Sequence, residues 1–252
     1  MQKNFEPDTS LVNAVAASPN FNERQGGAPD MILLHYTGME SAEAALARLV
    51  DPAAKVSAHY FVHEDGRTLQ LVPEASRAWH AGEALWAGES DINSRSIGIE
   101  IVNPGHDLGY PDFPRTQIET VIALCHDIIE RSGIRADRVL AHSDVAPARK
   151  QDPGEKFPWN LLHKQGVGHL VAPAPLAEGP ALKPGDRSEA VTMLQTMLAR
   201  YGYGLPVTGE FDVTTEAVVA AFQRHFRPAR VDGIADASTV TTLRDLLAAR
   251  PI

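Results

Sequence analysis

Two histidines, an aspartate, a glutamate and a lysine interrupt or end short apolar stretches of this 252-residue chain, and their types suit hydrolysis at a zinc ion. His35 stands in Met31-Ile32-Leu33-Leu34-His35-Tyr36-Thr37-Gly38, Glu100 in Ser96-Ile97-Gly98-Ile99-Glu100-Ile101-Val102-Asn103, and His142 in Leu140-Ala141-His142-Ser143-Asp144. Lys150 and Asp152 follow in Arg149-Lys150-Gln151-Asp152-Pro153-Gly154. His35, His142 and Asp152 would supply two imidazoles and one carboxylate. That set leaves a fourth tetrahedral position for water, as in catalytic rather than structural zinc sites. Glu100 and Lys150 then remain as a base and a cation.

The elements that must position these groups follow from the apolar pattern. Residues 31–36 form an apolar run after the turn-like Gly26-Gly27-Ala28-Pro29-Asp30 and predict a buried strand. Strand side chains alternate, so His35 shares a face with Met31 and Leu33. In the stretch 96–102, Ile97, Ile99 and Ile101 point one way and Gly98, Glu100 and Val102 the other. Val139-Leu140-Ala141 predicts a short strand ending at His142. Lys150 and Asp152, two apart in extended chain before Pro153, face one side. Each feature has a plainer reading: a core histidine bonded to backbone, a buried Glu100 paired with a cation, a solvated loop lysine and aspartate.

Taken together the stretches resemble the zinc-dependent N-acetylmuramoyl-L-alanine amidases of the type-2 (AmpD/AmiD-like) class. The matching residues are Leu34-His35-Tyr36, Ser57-Ala58-His59-Tyr60, Arg77-Ala78-Trp79-His80-Ala81-Gly82, Ser96-Ile97-Gly98-Ile99-Glu100 and Ala141-His142-Ser143-Asp144, completed by Arg149 to Gly154 and Phe157-Pro158-Trp159. The resemblance implies one zinc ion per chain on His35, His142 and Asp152, a catalytic Glu100 and a transition-state Lys150. It also favours Arg77, Trp79 and His80 as substrate contacts, since a guanidinium fork and an aromatic face suit carboxylates and sugars. Tyr36 and Asn103 complete the candidate substrate-binding set. His59 is expected as a core or supporting residue, and His106 and His169 as exposed loop residues.

Composition bounds the rest. The chain is 44% hydrophobic and 22% charged, as in soluble globular proteins. A net charge of −9 argues against a nucleic-acid partner. Cys125, the one cysteine, lies at helical apolar spacing and reads as core, so no intrachain disulfide forms. No stretch has the length of a membrane span. Met1-Gln2-Lys3-Asn4-Phe5-Glu6-Pro7-Asp8 does not open a signal peptide, and residues 11–17 are too short and too weakly apolar for its hydrophobic region.

Residues 171–181, rich in Pro and Ala, predict a semi-rigid linker between a catalytic domain at 1–170 and a helical domain at 182–252. Helices are expected over 188–201, 214–226 and 238–248, with Asp212 and Asp236 as N-caps for the last two. This part resembles the peptidoglycan-binding module attached to wall hydrolases, through Leu182-Lys183-Pro184-Gly185-Asp186, Leu194-Gln195, Gly209-Glu210-Phe211-Asp212, Phe222-Gln223 and Val231 to Asp236. A helical cap on the catalytic domain or a dimer interface are the alternatives. The stretch Arg224 to Arg230 adds positive charge suited to peptide-stem carboxylates.

The expected fold is α/β, a mixed central sheet of about five strands flanked by helices with a zinc cleft at the strand ends, plus a small three-helix C-terminal domain. The expected reaction is hydrolysis of the amide between the lactyl group of N-acetylmuramic acid and L-alanine in peptidoglycan or muropeptides, for cell-wall turnover or recycling. A non-catalytic peptidoglycan-recognition protein on the same fold is the rival, disfavoured because all five positions hold competent residues. A zinc peptidase would want a His-Glu-x-x-His signature, which is absent. The wall-binding module favours the cell envelope or periplasm, the lack of a signal peptide the cytoplasm. Substrate form, stem length and oligomeric state stay open.

Overall fold

The computed structural model describes residues 5–251. The first four residues of the stretch read for an export signal, and the ends of the two expected domains, lie outside the described residues. The elements, in order, are β1 (Ala14–Val15), β2 (Phe21–Glu23), β3 (Met31–Tyr36), α1 (Ala42–Val50), β4 (Tyr60–Val62), β5 (Thr68–Gln70), β6 (Ser76–Ala78), α2 (Ile92–Arg95), β7 (Ser96–Ile101), α3 (Arg115–Ser132), β8 (Val139–Ala141), α4 (His142–Val145), α5 (Trp159–Lys164), α6 (Glu189–Tyr201), α7 (Val213–Phe226) and α8 (Ala237–Ala248).

Six strands form one mixed sheet in the order β1-β5-β4-β7-β3-β8, and β2 pairs with β6 in a separate two-stranded ribbon. The central strands β4, β7, β3 and β8 run parallel, and β5 turns back antiparallel to β4. Period-2 alternation sorts their side chains. Ile32, Leu34, Ile97, Ile99, Val139 and Ala141 face α3, where Ile118, Val121, Leu124, Cys125 and Ile128 complete one core. Cys125 is buried there, as its spacing predicts.

Met31, Leu33 and Leu140 point to the opposite face and join a core that includes Trp86, Leu198, Tyr201, Tyr203, Phe222 and Phe226. The C-terminal helices therefore pack directly on the sheet that carries the candidate site. Trp86 is fully buried between Tyr201 and Tyr203, whose rings lie 5.9 and 5.0 Å away, edge-on. Gly202 lies so close that a Cβ there would be 2.5 Å from the Trp86 ring. Polar ties cross the same boundary: the Arg250 Nε donates to Asp137 Oδ2 at 2.8 Å, and Tyr203 Oη to Asp144 Oδ1 at 2.7 Å. Within the 171–181 stretch, Ala174 is bonded through both backbone groups to α8, to Thr242 and Ser238.

The three C-terminal helices start on side-chain caps. Ser188, Asp212 and Asp236 accept from Val191, Thr215 and Thr239 backbone N–H groups, a contribution of about 1 kcal/mol each. The repeated glutamines of the motif have a structural explanation. Buried Gln195 accepts from the Thr208 and Gly209 N–H groups and donates to the Glu210 carbonyl. Gln223 does the same for Asp232, Gly233 and Ile234. Each amide closes the loop that precedes the next helix. The basic stretch at 224–230 departs from the expectation of a charged surface: His225 and Arg227 are buried, held by Asp144 and by Asp236 and Thr239.

Candidate active site

The register of β3 against β7 sets His35 directly beside Glu100 and Leu33 beside Gly98. Both strands end there, so the two polar side chains stand where the apolar face opens to a cleft. β8 on the other side of β3 delivers the chain to α4, whose first residue is His142. The Asp144 carboxylate accepts from the Ala141 N–H at 2.8 Å and fixes this strand-to-helix turn. The Ser143 N–H donates to the Asp152 carbonyl at 3.0 Å and draws the following loop back under α4. The Asp152–Pro153 bond in that loop is cis.

These elements bring His35, His142 and Asp152 together, all buried. His35 Nδ1 lies 2.9 Å from His142 Nδ1 and 3.1 Å from Asp152 Oδ2, and His142 Nδ1 lies 2.9 Å from the same oxygen. The outer nitrogens are engaged too: His142 Nε2 donates to the Ala81 carbonyl at 2.9 Å, and His35 Nε2 lies 3.0 Å from His80 Nδ1. The donor atoms of the three residues all lie within 4.8 Å of one another.

Electrostatics of the cluster suit a cation. Burial, reinforced by the neighbouring His142, pushes His35 down to about 4, so its imidazole is neutral and a lone pair is available. Burial alone would raise Asp152, but the imidazoles against it, His142 foremost, outweigh burial and hold the carboxyl far below its usual range. Burial and the Asp152 charge push Glu100 up to about 8, with Lys150 opposing. Buried Glu100 Oε2 has no hydrogen-bond partner. An imidazole kept neutral by burial, a second imidazole beside it, an ionised carboxylate and an unpartnered carboxyl oxygen form a site that fits a divalent metal ion.

The cleft around this cluster has a volume of about 390 Å³, and its lining includes Tyr36, Glu100, Lys150, Gln151 and His106. Lys150 is half-buried, and no hydrogen bond or ion pair engages its ammonium among the described residues; Lys150 and Asp152 line the same cleft from one loop. His80 also reaches the lining, though it is buried behind His35. The other candidate substrate contacts sit elsewhere. Arg77, on β6, donates twice to Asp91 at 2.8 and 3.0 Å. Trp79 donates from Nε1 to Asn22 at 2.6 Å. Neither lines this cleft. Asn103 is buried below it, closing the loop after β7 by accepting from the Gly105 N–H and donating to the Pro111 carbonyl.

Two histidines depart from the exposed-loop expectation. His169 is buried against the Tyr201 hydroxyl at 3.0 Å. His106 lies between the Tyr36 hydroxyl at 3.0 Å and Glu155 at 3.1 Å, on the cleft wall. The signal for His106 is faint: a Gly105 with positive φ, whose missing Cβ would fall 2.5 Å from the Tyr36 ring. His59 serves as a supporting residue, its Nδ1 accepting from the Gly98 N–H at 2.9 Å.

Fold and site define a class: an α/β protein with a two-histidine, one-carboxylate centre open to a cleft beside a glutamate and a lysine. The N-acetylmuramoyl-L-alanine amidase family model matches residues 25–155, and a peptidoglycan binding domain model matches residues 187–243. The N-acetylmuramoyl-L-alanine amidase AmiD of Escherichia coli is 37% identical over 242 residues, covering 86% of this chain and 82% of that protein. The chain belongs to the N-acetylmuramoyl-L-alanine amidase family. Its fold superposes with a TM-score of 0.74 on E. coli AmiD in complex with the substrate anhydro-N-acetylmuramic acid-L-Ala-D-gamma-Glu-L-Lys, at 34% identity and over 91% of this chain and 97% of that one. AmpDh3 of Pseudomonas aeruginosa, in complex with anhydromuramic pentapeptide, gives 0.75 at 32% identity, over 90% and 94%.

Proposed function

We propose that this chain hydrolyses the amide between the lactyl group of N-acetylmuramic acid and L-alanine, in peptidoglycan or muropeptides, for cell-wall turnover or recycling, using one zinc ion on His35, His142 and Asp152. The observation that carries the reading is the convergence of those three donors within 4.8 Å, beside Glu100 and in a cleft shared with Lys150. Bound zinc would polarise the scissile carbonyl and acidify water. Glu100 takes the proton of the attacking water and returns it to the leaving amine. Lys150, whose ammonium is free of protein partners among the described residues, stabilises the oxyanion as the carbonyl becomes tetrahedral. The Asp152 carboxylate balances positive charge. Tyr36 is the one polar substrate contact of the expected set that lines the open cleft without supporting a metal donor.

On this reading residues 1–170 form the catalytic domain, 171–181 the connection and 182–252 a wall-binding domain, and the wall-binding domain favours action in the cell envelope. Mass spectrometry of digests from intact sacculi and from anhydro-muropeptides, run side by side, tests the activity. Free stem peptides beginning with L-alanine are the expected product. Zinc content near one equivalent, lost in His142→Ala, is expected with it. Absence of the free stem from both digests refutes the reaction, and zinc below half an equivalent refutes the centre.

A further inference from the structure

The outer side of His35 carries a hydrogen-bond chain whose direction can be worked out. Ser96 Oγ lies 2.6 Å from the Ile92 carbonyl and 3.3 Å from His80 Nε2. A carbonyl only accepts, so the hydroxyl proton goes to Ile92, and the Ser96 oxygen is left as an acceptor toward His80. His80 Nε2 then carries the proton that bridges to Ser96. In a neutral imidazole the other nitrogen must be an acceptor. His80 Nδ1 therefore accepts from His35 Nε2, 3.0 Å away. With its proton on Nε2, His35 presents a bare Nδ1 lone pair to His142 and Asp152.

The opposite arrangement is the natural competitor. Asp152 Oδ2, 3.1 Å from His35 Nδ1, would draw the proton to that inner nitrogen and block it as a donor. The chain through His80 opposes that pull. Its position is built into the backbone: Asn93 Oδ1 accepts from the His80 and Ala81 N–H groups at 3.0 and 2.8 Å. The His80 ring lies over Gly98 of β7, where a Cβ would come within 2.6 Å of it. Only a residue without a side chain lets the ring reach the back of His35. Outer partners of metal-bound histidines are usually carboxylates, backbone carbonyls or water; here the partner is a second imidazole whose own tautomer is set by a serine.

We infer that His80, oriented by Ser96 and admitted by Gly98, is a positioning residue that selects the metal-binding tautomer of His35, rather than a contact for substrate. The inference rests on the metal reading of the cleft. Its test uses the full chain and zinc alone, with affinity measured by competition against a chelator. His80→Leu removes the acceptor and should weaken zinc by about 10–100-fold, the usual cost of losing an outer-shell partner. His80→Asn, whose amide oxygen replaces Nδ1 as acceptor, should stay within about threefold of the parent, well short of that cost. Equal weakening in both variants, or none in either, overturns the inference. The second measurement needs no variant: long-range ¹⁵N–¹H correlation spectra of the zinc-loaded parent should place the His80 proton on Nε2. A proton on His80 Nδ1 overturns the inference whether or not the variants fold. A parent that binds no zinc refutes the metal reading instead, and the His80 proton position in that same chain then judges the tautomer chain alone.

Discussion

Replacing Trp86 with alanine tests whether the C-terminal helices and the catalytic sheet fold as one unit. The indole is fully buried and bridges the two parts: Met31, Leu33 and Leu140 of the sheet and Tyr201, Tyr203 and Phe222 of the helical part belong to its core. It packs edge-on to the two tyrosines, and Gly202 offers no Cβ to fill the hole left behind. Truncation of a buried tryptophan costs about 3–5 kcal/mol through lost transfer energy plus the residual cavity. For a chain of this size each kcal/mol lowers Tm by about 2–4 °C, so a fall of about 6–20 °C is expected. The assay is thermal unfolding followed at once by far-ultraviolet circular dichroism, which is dominated by the helices, and by loss of bound metal from the cleft. Both signals should fall together at the lower temperature. Two separated transitions, with the metal retained after the helices melt, would refute the shared core, as would a loss under about 1 kcal/mol, which is too small for a buried tryptophan. The same core predicts that a fragment ending near residue 170 is destabilised, because it exposes this apolar face to water.

Three further outcomes are expected. Glu100→Gln is nearly isosteric and should keep metal and fold while kcat falls about 10²–10⁴-fold, the scale of a general acid-base; metal analysis and steady-state kinetics check it, and loss of the metal would make Glu100 a ligand. Lys150→Met should lower kcat about 10²–10³-fold with KM and zinc content little changed, as for an electrostatic donor to the transition state; a nearly silent substitution would return Lys150 to a solvated loop residue. Burial raises the buried Asp137 carboxyl, but hydrogen bonds from Arg135 and Arg250 win and hold it below its usual value. A depressed pKa contributes stability that is present above the unfolded value and lost as pH falls through the folded one. Asp137→Asn should therefore cost about 1.5–3 kcal/mol at pH 7, the range for hydrogen bonds to a charged group. The gap to the parent should close in acid below the ordinary aspartate range, as read by Tm at both pH values.

The period-2 alternation of residues 31–36 and 96–102 was enough to set His35 on the face of Met31 and Leu33 and Glu100 on the face of Gly98 and Val102, because strand geometry is local and depends on little beyond the chain itself. The N-caps Asp212 and Asp236 were legible for the same reason: a cap needs only the next three residues. Pairing of His35 opposite Glu100, and the return of Asp152 beneath α4, depend on sheet register and on long-range bonds such as Ser143 to Asp152, which no local pattern encodes. Amphipathic helices announce an apolar face but not what covers it. That is why the C-terminal helices read as a tethered bundle with a charged flank, while the structure buries His225 and Arg227 and packs the bundle on the sheet. Arg77, Trp79 and His80 lie within four residues of one another, yet the ribbon of β2 and β6 takes the first two to Asp91 and Asn22, and the missing side chain of Gly98 admits the third behind His35. Side-chain type was written in the sequence. Which groups meet was decided by packing, since a buried polar atom takes the partner the tertiary fold brings within hydrogen-bond reach.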